Sequence, residues 1–175
     1  MPLDPGLDGP TFRRTIARWA TGVSVVTARD GEVVAGLTVN SLLSVSLEPP
    51  TLLVSLTNEA DTTPVIERSR RFGVSLLSAA QQSLSERFAR AVPPAEKFAG
   101  VPVHASPHGI PLLDGALATF ECALERSIPA GDHHLLLGRV LAAENGPDAL
   151  PLTFYRSRYG EPTGPETIRL PPTRT

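Results

Sequence analysis

A short run of hydroxyl and amide side chains between residues 38 and 44 is the part of the sequence best suited to hold a ligand. Thr38, Asn40 and Ser44 share one parity, so they would face one side of an extended strand, with Ser41 beside them. A buried hydroxyl needs a partner, and such a row suits the edge of a flat polar heterocycle or a phosphate. A Ser/Thr-rich edge strand that faces water is the simpler alternative.

A second polar run lies between residues 57 and 63, just before a predicted helix. It contains Asn58, Thr62 and Thr63. Free backbone N–H groups and the helix dipole at such a position can bind an anion. Simple N-capping by Thr62 or Thr63 would explain the same residues without any ligand.

Several chemistries are absent from the sequence motifs. There is no Gly-x-Gly-x-x-Gly segment, Walker A loop, His-Glu-x-x-His helix or Gly-x-Ser-x-Gly elbow, which excludes the corresponding nucleotide-binding, metalloprotease and hydrolase classes. We expect no metal site, because there is one cysteine and the histidines lack ligand spacing. Of those histidines, His133 in the turn Gly131-Asp132-His133 is a candidate for function, and His134 for a structural role.

The bulk composition indicates one globular domain. The chain has 175 residues, 41% hydrophobic and 19% charged, with a net charge of -2, which argues against nucleic-acid or membrane partners. Cys122 lies in an apolar run and is predicted to be a buried, inert thiol. The first ten residues do not form a secretory signal, and no apolar run approaches the ~18 residues of a membrane span, so we predict a cytoplasmic location.

The elements that must position these residues are mostly strands joined as hairpins. The strands are predicted at residues 23–28, 33–38, 45–47, 51–56, 71–77, 115–126, 135–144 and 152–156, and the helices at 12–20, 64–69 and 79–90. We expect Thr11 to cap the first helix and Trp19 to anchor it in the core, and strand 51–56 to be covered on both faces. Residues 91–112 are predicted to be a connection with little regular structure, in which Lys97 is solvated. The pattern favours an all-β or α+β fold: an antiparallel barrel with a few short capping helices.

Seven segments in a fixed order resemble the short-chain flavin reductases, the reductase components of two-component flavin-dependent monooxygenases. They are residues 20–27, 36–41, 44–50, 82–89, 97–100, 131–133 and 155–160. The resemblance implies an FMN-binding split β-barrel over residues 11–160, between a flexible arm (1–10) and a Pro-rich tail (161–175). It also implies a homodimer with the site near the subunit interface.

The same resemblance implies roles for individual residues. The flavin ring and ribityl chain would be contacted from the first polar run, by Thr38, Val39, Asn40, Ser41 and Ser44. The ribityl-phosphate would be approached by Ser55, Asn58, Thr62 and Thr63, and the far part of the flavin by Phe88 and Ala89. His133 would face the nicotinamide as the catalytic residue, and Tyr155 and Arg156 would close the site. Leu37, Leu42 and Ala60 depart from the family pattern, which leaves FMN or FAD open.

The function predicted from this is an NAD(P)H:flavin oxidoreductase that supplies reduced flavin to a partner monooxygenase. Hydride transfer needs no protein acid, which fits a site without a catalytic dyad. The choice between NADH and NADPH stays open. One alternative is a flavin-binding accessory or carrier on the same barrel without turnover. Another is an oxidase of the pyridoxamine-phosphate type, for which the sequence lacks the expected basic cluster.

Overall fold

Antiparallel strands make up most of the structure, a computed structural model that describes residues 6–162. Strands β1 to β12 within that range are Thr21–Gly22, Ser24–Asp30, Val33–Val39, Leu43–Leu47, Pro50–Thr57, Arg71–Leu76, Val103–Ala105, Pro111–Leu113, Ala118–Ala130, His133–Asn145, Thr153–Tyr155 and Arg158–Gly160. Helices α1 to α4 within it are Gly9–Ile16, Thr62–Ser69, Gln82–Phe88 and Pro94–Phe98. The predicted tail falls mostly on residues 163–175 and half of the predicted arm on residues 1–5, outside the described residues.

Seven of these strands form one curled antiparallel sheet in the order β3-β2-β6-β9-β10-β5-β4. Two smaller sheets, β1-β11-β12 and β7-β8, lie beside it. The predicted antiparallel fold with few short helices is confirmed. The large sheet is not closed: β3 and β4 remain its two edges.

The hairpin of β2 and β3 forms where the sequence predicts it. Asp30 pairs with Val33 across the turn, and Gly31 adopts a φ of 58°, which an L side chain rarely does. Because the turn fixes the register, Ser24 pairs with Val39 at the far end of the hairpin. The polar run therefore begins where β3 leaves the sheet.

The inner face of the large sheet holds the main core. Val26, Val54, Phe72 and Leu136 belong to one fully buried cluster. Gly138 in β10 makes room for the Phe72 ring, because a Cβ at this position would overlap that ring and lie 2.8 Å from the Cβ of Cys122. Close packing in this region fixes the curl of the sheet around Phe72.

The outer face of β5 is less covered than its apolar sequence predicts. Val54 and Leu56 are buried, but Leu53, of the opposite parity, is half-buried. Its cross-strand neighbour Leu43 is 57% exposed. The prediction that both faces of this strand are covered is therefore wrong for the single chain, because the outer face around Leu53 and Leu43 stays partly exposed.

The first helix differs from its prediction. It begins at Gly9, inside the predicted arm, and its N-cap is Asp8, whose carboxylate accepts a hydrogen bond from the backbone N–H of Thr11 at 2.8 Å. No residue of α1 is buried, and Trp19 is 71% exposed. The prediction of Trp19 as a core anchor is wrong, because α1 lies on the outside and leaves its apolar side chains uncovered.

The Pro-rich connection is more ordered than predicted, and Lys97 is not solvated. Residues 91–112 contain α4 and β7, and Lys97 is only 8% exposed. Its Nζ donates to the carbonyl of Gly36 in β3 at 3.1 Å. Burial lowers the pKa of Lys97, an effect partly offset by the charge of Asp61.

Cys122 is buried as predicted. Burial, with the neighbouring charge of Glu121, raises the pKa of its thiol to about 12, so the reactive thiolate is suppressed. Among the helices of residues 6–162, none has both the length and the apolar character needed to cross a membrane.

Gly138→Ala is expected to lower the free energy of unfolding by about 1–3 kcal/mol, because the new methyl group overpacks the Phe72 contact. Urea unfolding followed by circular dichroism measures the change. Gly9→Ala is the matched control, since a Cβ there has no neighbour within 4 Å. Equal stability of the two variants would contradict the packing role of Gly138.

Candidate functional site

Residues 40–42 connect the two opposite edges of the seven-stranded sheet. The connection has three residues between the end of β3 at Val39 and the start of β4 at Leu43. Four Cα–Cα steps of 3.8 Å reach at most about 15 Å. The sheet must therefore curl until its edges nearly meet, and the polar run lies in the gap between them.

Ser41 holds this connection in place through β5. Its hydroxyl donates to the carbonyl of Ser55 at 2.7 Å and accepts from the Ser55 N–H at 3.2 Å. Leu43 of β4 pairs with Leu53 of the antiparallel β5. Ser41, two residues before Leu43, therefore stands opposite Ser55, two residues after Leu53. One hydroxyl thus replaces the two backbone bonds that a longer β4 would have made.

The other residues of the first polar run lie in different surroundings. Thr38 is half-buried and its hydroxyl donates to the carbonyl of Ser85 in α3 at 2.7 Å. Val39 is buried, whereas Asn40 and Ser44 are exposed. The single polar face predicted for this run does not form, because β3 ends at Val39 and β4 begins only at Leu43. The alternation of side chains along one strand therefore does not continue from Thr38 to Ser44.

A cleft of about 980 Å³ opens beside the connection. Of the predicted site residues, Asn40, Ser41 and Arg156 line it together. Its further lining comes from α1, β1 and the β11–β12 turn, and includes Arg13, Trp19, Thr21 and Ser157. None of these four was predicted as a site residue. Thr21 and Ser157 lie within the matching segments 20–27 and 155–160, which were the available signals, whereas Arg13 and Trp19 lie in neither.

Thr21 presents an unsatisfied polar group at this cleft. Its Oγ1 is buried and has no hydrogen-bond partner among residues 6–162. A buried hydroxyl without a partner costs free energy, so its presence on the cleft wall fits a ligand with polar edges.

A second group of predicted residues lies at the end of β5 and the start of β10. Thr57 pairs with His133, and Ser55 lies two residues, about 7 Å, back along the same strand. Asn58 is tied to the turn before β10: its N–H donates to the carbonyl of Asp132 at 2.9 Å and its Nδ2 to that of Gly131 at 3.3 Å. Ser41, Ser55 and His133 therefore form a continuous polar strip.

The ring of His133 is oriented by Asp132. Its Nδ1 lies 2.7 Å from Oδ1 of Asp132. This hydrogen bond, together with the charge on the ring when protonated, lowers the pKa of Asp132. An ionised carboxylate can only accept, so Nδ1 carries the proton and Nε2 remains for a ligand.

Thr62 and Thr63 lie in the first turn of α2 and are both buried. The N-cap of α2 is Asp61, so the alternative that Thr62 or Thr63 caps the helix is wrong. Within the described part of the chain, Oγ1 of Thr63 is buried without a hydrogen-bond partner. The N–H of Thr63 donates to the carbonyl of Ala60 at 3.2 Å, so its unsatisfied hydroxyl is the group left for a ligand at the positive end of the helix dipole.

The remaining predicted residues separate into core and surface. Phe88 is 0% exposed and packs edge-on against Phe98 at 5.0 Å, so its ring belongs to the core and offers no face to a ligand. Ala89 is exposed at the C-cap of α3. Tyr155 is exposed, with the Arg156 guanidinium 5.2 Å above its ring centroid.

Comparisons with known proteins agree on one family. The model described as "Flavin reductase like domain" matches residues 16–163. The reductase subunit HsaB of a flavin-dependent monooxygenase from Rhodococcus jostii is 38% identical over 87% of this chain and 77% of its own. The NADH-dependent flavin reductase StyB of Pseudomonas fluorescens is 39% identical over 89% and 92%.

Solved structures give the same result. The NADH:FAD oxidoreductase SgcE6 of Streptomyces globisporus, in complex with NAD and FAD fragments, superposes with a TM-score of 0.85 at 32% identity, covering 96% of this chain and 99% of that one.

Ser41→Ala is expected to lower the free energy of unfolding by about 1–3 kcal/mol, because it leaves both backbone groups of Ser55 without their partner. Ser44→Ala, at an exposed position, is the matched control and should change stability by less than about 0.5 kcal/mol. Chemical denaturation of both variants tests this, and a stable Ser41→Ala protein would show that water replaces the hydroxyl.

Proposed function

The chain belongs to the flavin reductase-like family, and we propose that it is the reductase component of a two-component flavin-dependent monooxygenase. It oxidises NADH, reduces FMN or FAD, and supplies the reduced flavin to a separate monooxygenase. The observation that carries this is the polar run of Asn40 and Ser41 on the wall of the cleft, which Ser55 in β5 and His133 in β10 continue outside the cleft lining. The names of the relatives support turnover rather than a carrier role, because StyB is an NADH-dependent flavin reductase.

The flavin site that we propose runs along this strip. Asn40, Ser41 and Ser55 flank the ring system, and the exposed Asn40 offers an amide donor and acceptor for its polar edge. Thr38 and Val39 support this segment from β3, and the exposed Ser44 extends it into β4. When bound, flavin supplies the redox chemistry by accepting hydride from NADH.

The first turn of α2 is the proposed phosphate subsite. Thr62 and Thr63 provide hydroxyls at the N-terminus of the helix, where the helix dipole favours an anion, and Oγ1 of Thr63, unpartnered among the described residues, gains an acceptor there. Asn58 holds this loop against the turn before β10. Ala89, at the C-cap of α3, stays a proposed contact for the far part of the flavin.

His133 orients the nicotinamide in this proposal. Asp132 fixes the ring through Nδ1, which leaves Nε2 as the atom that meets the substrate. Arg156 lines the cleft, where its guanidinium offers charge to a dinucleotide. Tyr155 does not line the cleft and closes the site with Arg156 through its ring, whose centroid lies 5.2 Å from the guanidinium. Positioning and water exclusion suffice for hydride transfer, so no acid–base pair is required.

The protein acts as a homodimer in this proposal. Leu43, Leu53 and Leu137 lie directly opposite one another across three strands on the outer face of the sheet, and none of the three is buried. Leu43 also lines the cleft, as do Ile16 and the exposed Trp19 of the α1 region. Burying these side chains against a second copy would place the cleft at the subunit interface.

We place the domain at residues 11–160, between an arm and a tail, which agrees with the family match over 16–163. The cytoplasm is the proposed location, since the reaction needs a supply of NADH and a partner monooxygenase.

Leu43→Glu is expected to convert the dimer into a monomer, because it places a charge in the proposed leucine row. Light scattering after size exclusion measures the mass. Val33→Glu, which also replaces an exposed apolar side chain but at the hairpin end of β3, should remain dimeric. A monomeric wild type, or a dimeric Leu43→Glu protein, contradicts this interface.

Steady-state NADH oxidation with added FMN or FAD tests the proposed activity directly. The wild-type protein should oxidise NADH only in the presence of flavin. His133→Ala should lower kcat/KM for NADH by about tenfold or more, which corresponds to a loss of about 1.4 kcal/mol of transition-state stabilisation. His134→Ala is the matched control and should stay near wild type, since His134 contacts Ser127 instead. Absence of any flavin-dependent rate would refute the function.

A further inference from the structure

Hydrogen bonds connect β3, the strand that leads into the proposed flavin site, to the C-terminal hairpin formed by β11 and β12. The hydroxyl of Thr38 in β3 donates to the carbonyl of Ser85 at 2.7 Å. The hydroxyl of Ser85, which is fully buried, donates to the phenolic oxygen of Tyr159 at 2.9 Å. Ser85 thus joins β3 to β12 through α3, and it does so from inside the protein.

The hairpin that Tyr159 anchors carries Arg156 and Ser157 on its turn. Both residues line the cleft. Both also have positive φ angles, 49° and 59°, in a two-residue turn between Tyr155 and Arg158. Residues other than glycine, asparagine and aspartate rarely adopt positive φ angles, so the surrounding structure must hold the turn in this conformation.

Within residues 6–162, three hydrogen-bonded attachments hold the hairpin, in addition to the packing of Phe154 and Tyr159 against a buried core cluster. Phe154 in β11 pairs with Thr21 in the short strand β1, the N–H of Arg156 donates to the carbonyl of Ala17 at 2.9 Å, and Tyr159 accepts from Ser85. Of these, the Ser85–Tyr159 bond is the one made between side chains. A small sheet of two- and three-residue strands is weak alone, which makes each attachment matter.

We infer that Ser85 and Tyr159 are positioning residues for the nicotinamide dinucleotide. They hold the Arg156–Ser157 turn at the cleft in a fixed position relative to β3, the strand that leads into the proposed flavin site. This inference rests on the proposed function. Neither residue lines the cleft, so each acts through the turn: Tyr159 through the backbone of the hairpin and Ser85 through Tyr159. Phe154, packed against the Tyr159 ring at 5.4 Å, keeps the ring in place when the hydroxyl is removed.

The test uses Tyr159→Phe and Ser85→Ala, alone and together, in the full chain. Each single variant should raise the KM for NADH by about fivefold, the effect of one lost hydrogen bond, with the dissociation constant for flavin within twofold of wild type. Because both substitutions remove the same bond, the double variant should be no worse than the worse single variant.

A second readout does not depend on catalysis. Hydrogen exchange of the amides of residues 153–160, measured without flavin or NADH, should be faster in Tyr159→Phe and Ser85→Ala than in wild type. Ser75→Ala is the matched control: Ser75 is also fully buried, its hydroxyl accepts from the N–H of Leu113 at 3.0 Å, and it does not line the cleft. It should leave both readouts unchanged.

Three results would overturn the positioning role. The first is an unchanged KM for NADH in both single variants, whatever their exchange rates. The second is a double variant in which the effects of the two substitutions add. The third is a Ser75→Ala protein whose KM for NADH rises by as much as that of the single variants. If Ser85→Ala does not fold, Tyr159→Phe alone decides, since it keeps the ring. An inactive wild-type protein would instead refute the proposed function, which separates the two failures.

Discussion

The structure depends on how the two edges of one curled sheet are joined. Residues 40–42 must span both edges, and the Ser41 hydroxyl stands in for the backbone partner that Ser55 lacks beyond the end of β4. A hydroxyl can donate and accept at once, so a single small side chain satisfies two backbone groups and keeps the gap narrow. The same gap is where the polar run meets the cleft. The connection that joins the two sheet edges therefore also forms one wall of the cleft.

The two edge strands of the sheet, β3 and β4, differ in how far other parts of the chain cover them. Along β3, side chains and backbone from α3 and α4 cover the edge: Lys97 donates to the carbonyl of Gly36, and Thr38 donates to Ser85. Burial of the Lys97 cation is tolerated because its donor finds a carbonyl and Asp61 is near enough to oppose the loss of its charge. Along β4, the apolar side chains stay exposed. A covered edge prevents uncontrolled pairing, whereas an exposed apolar edge is suited to one specific partner.

The proposed site relies on no catalytic dyad from residues 6–162, and the proposed hydride transfer needs none. Hydride transfer between two ring systems depends on their mutual placement and on polar groups where charge develops. In the proposed site this placement would come from three separate elements: the polar strip along β5, the turn before β10 and the β11–β12 hairpin. Each is fixed by backbone hydrogen bonds or buried side chains rather than by a flexible loop. The rigidity of these elements explains how small hydroxyl and amide side chains can be sufficient.

The sequence alone determined the antiparallel fold and the β2–β3 hairpin, because strand periodicity and the Asp-Gly turn are local signals. Its candidate site residues came from the ordered segments and stay predictions. It misplaced Trp19, Lys97 and Phe88, whose environments depend on what packs against them from distant parts of the chain. It also could not show that Ser41 faces Ser55 or that Ser85 reaches Tyr159, since these contacts span 14 and 74 positions. Only the tertiary structure decided them: burial and long-range hydrogen bonding follow from how the sheet curls, and the curl comes from the packing of the whole core.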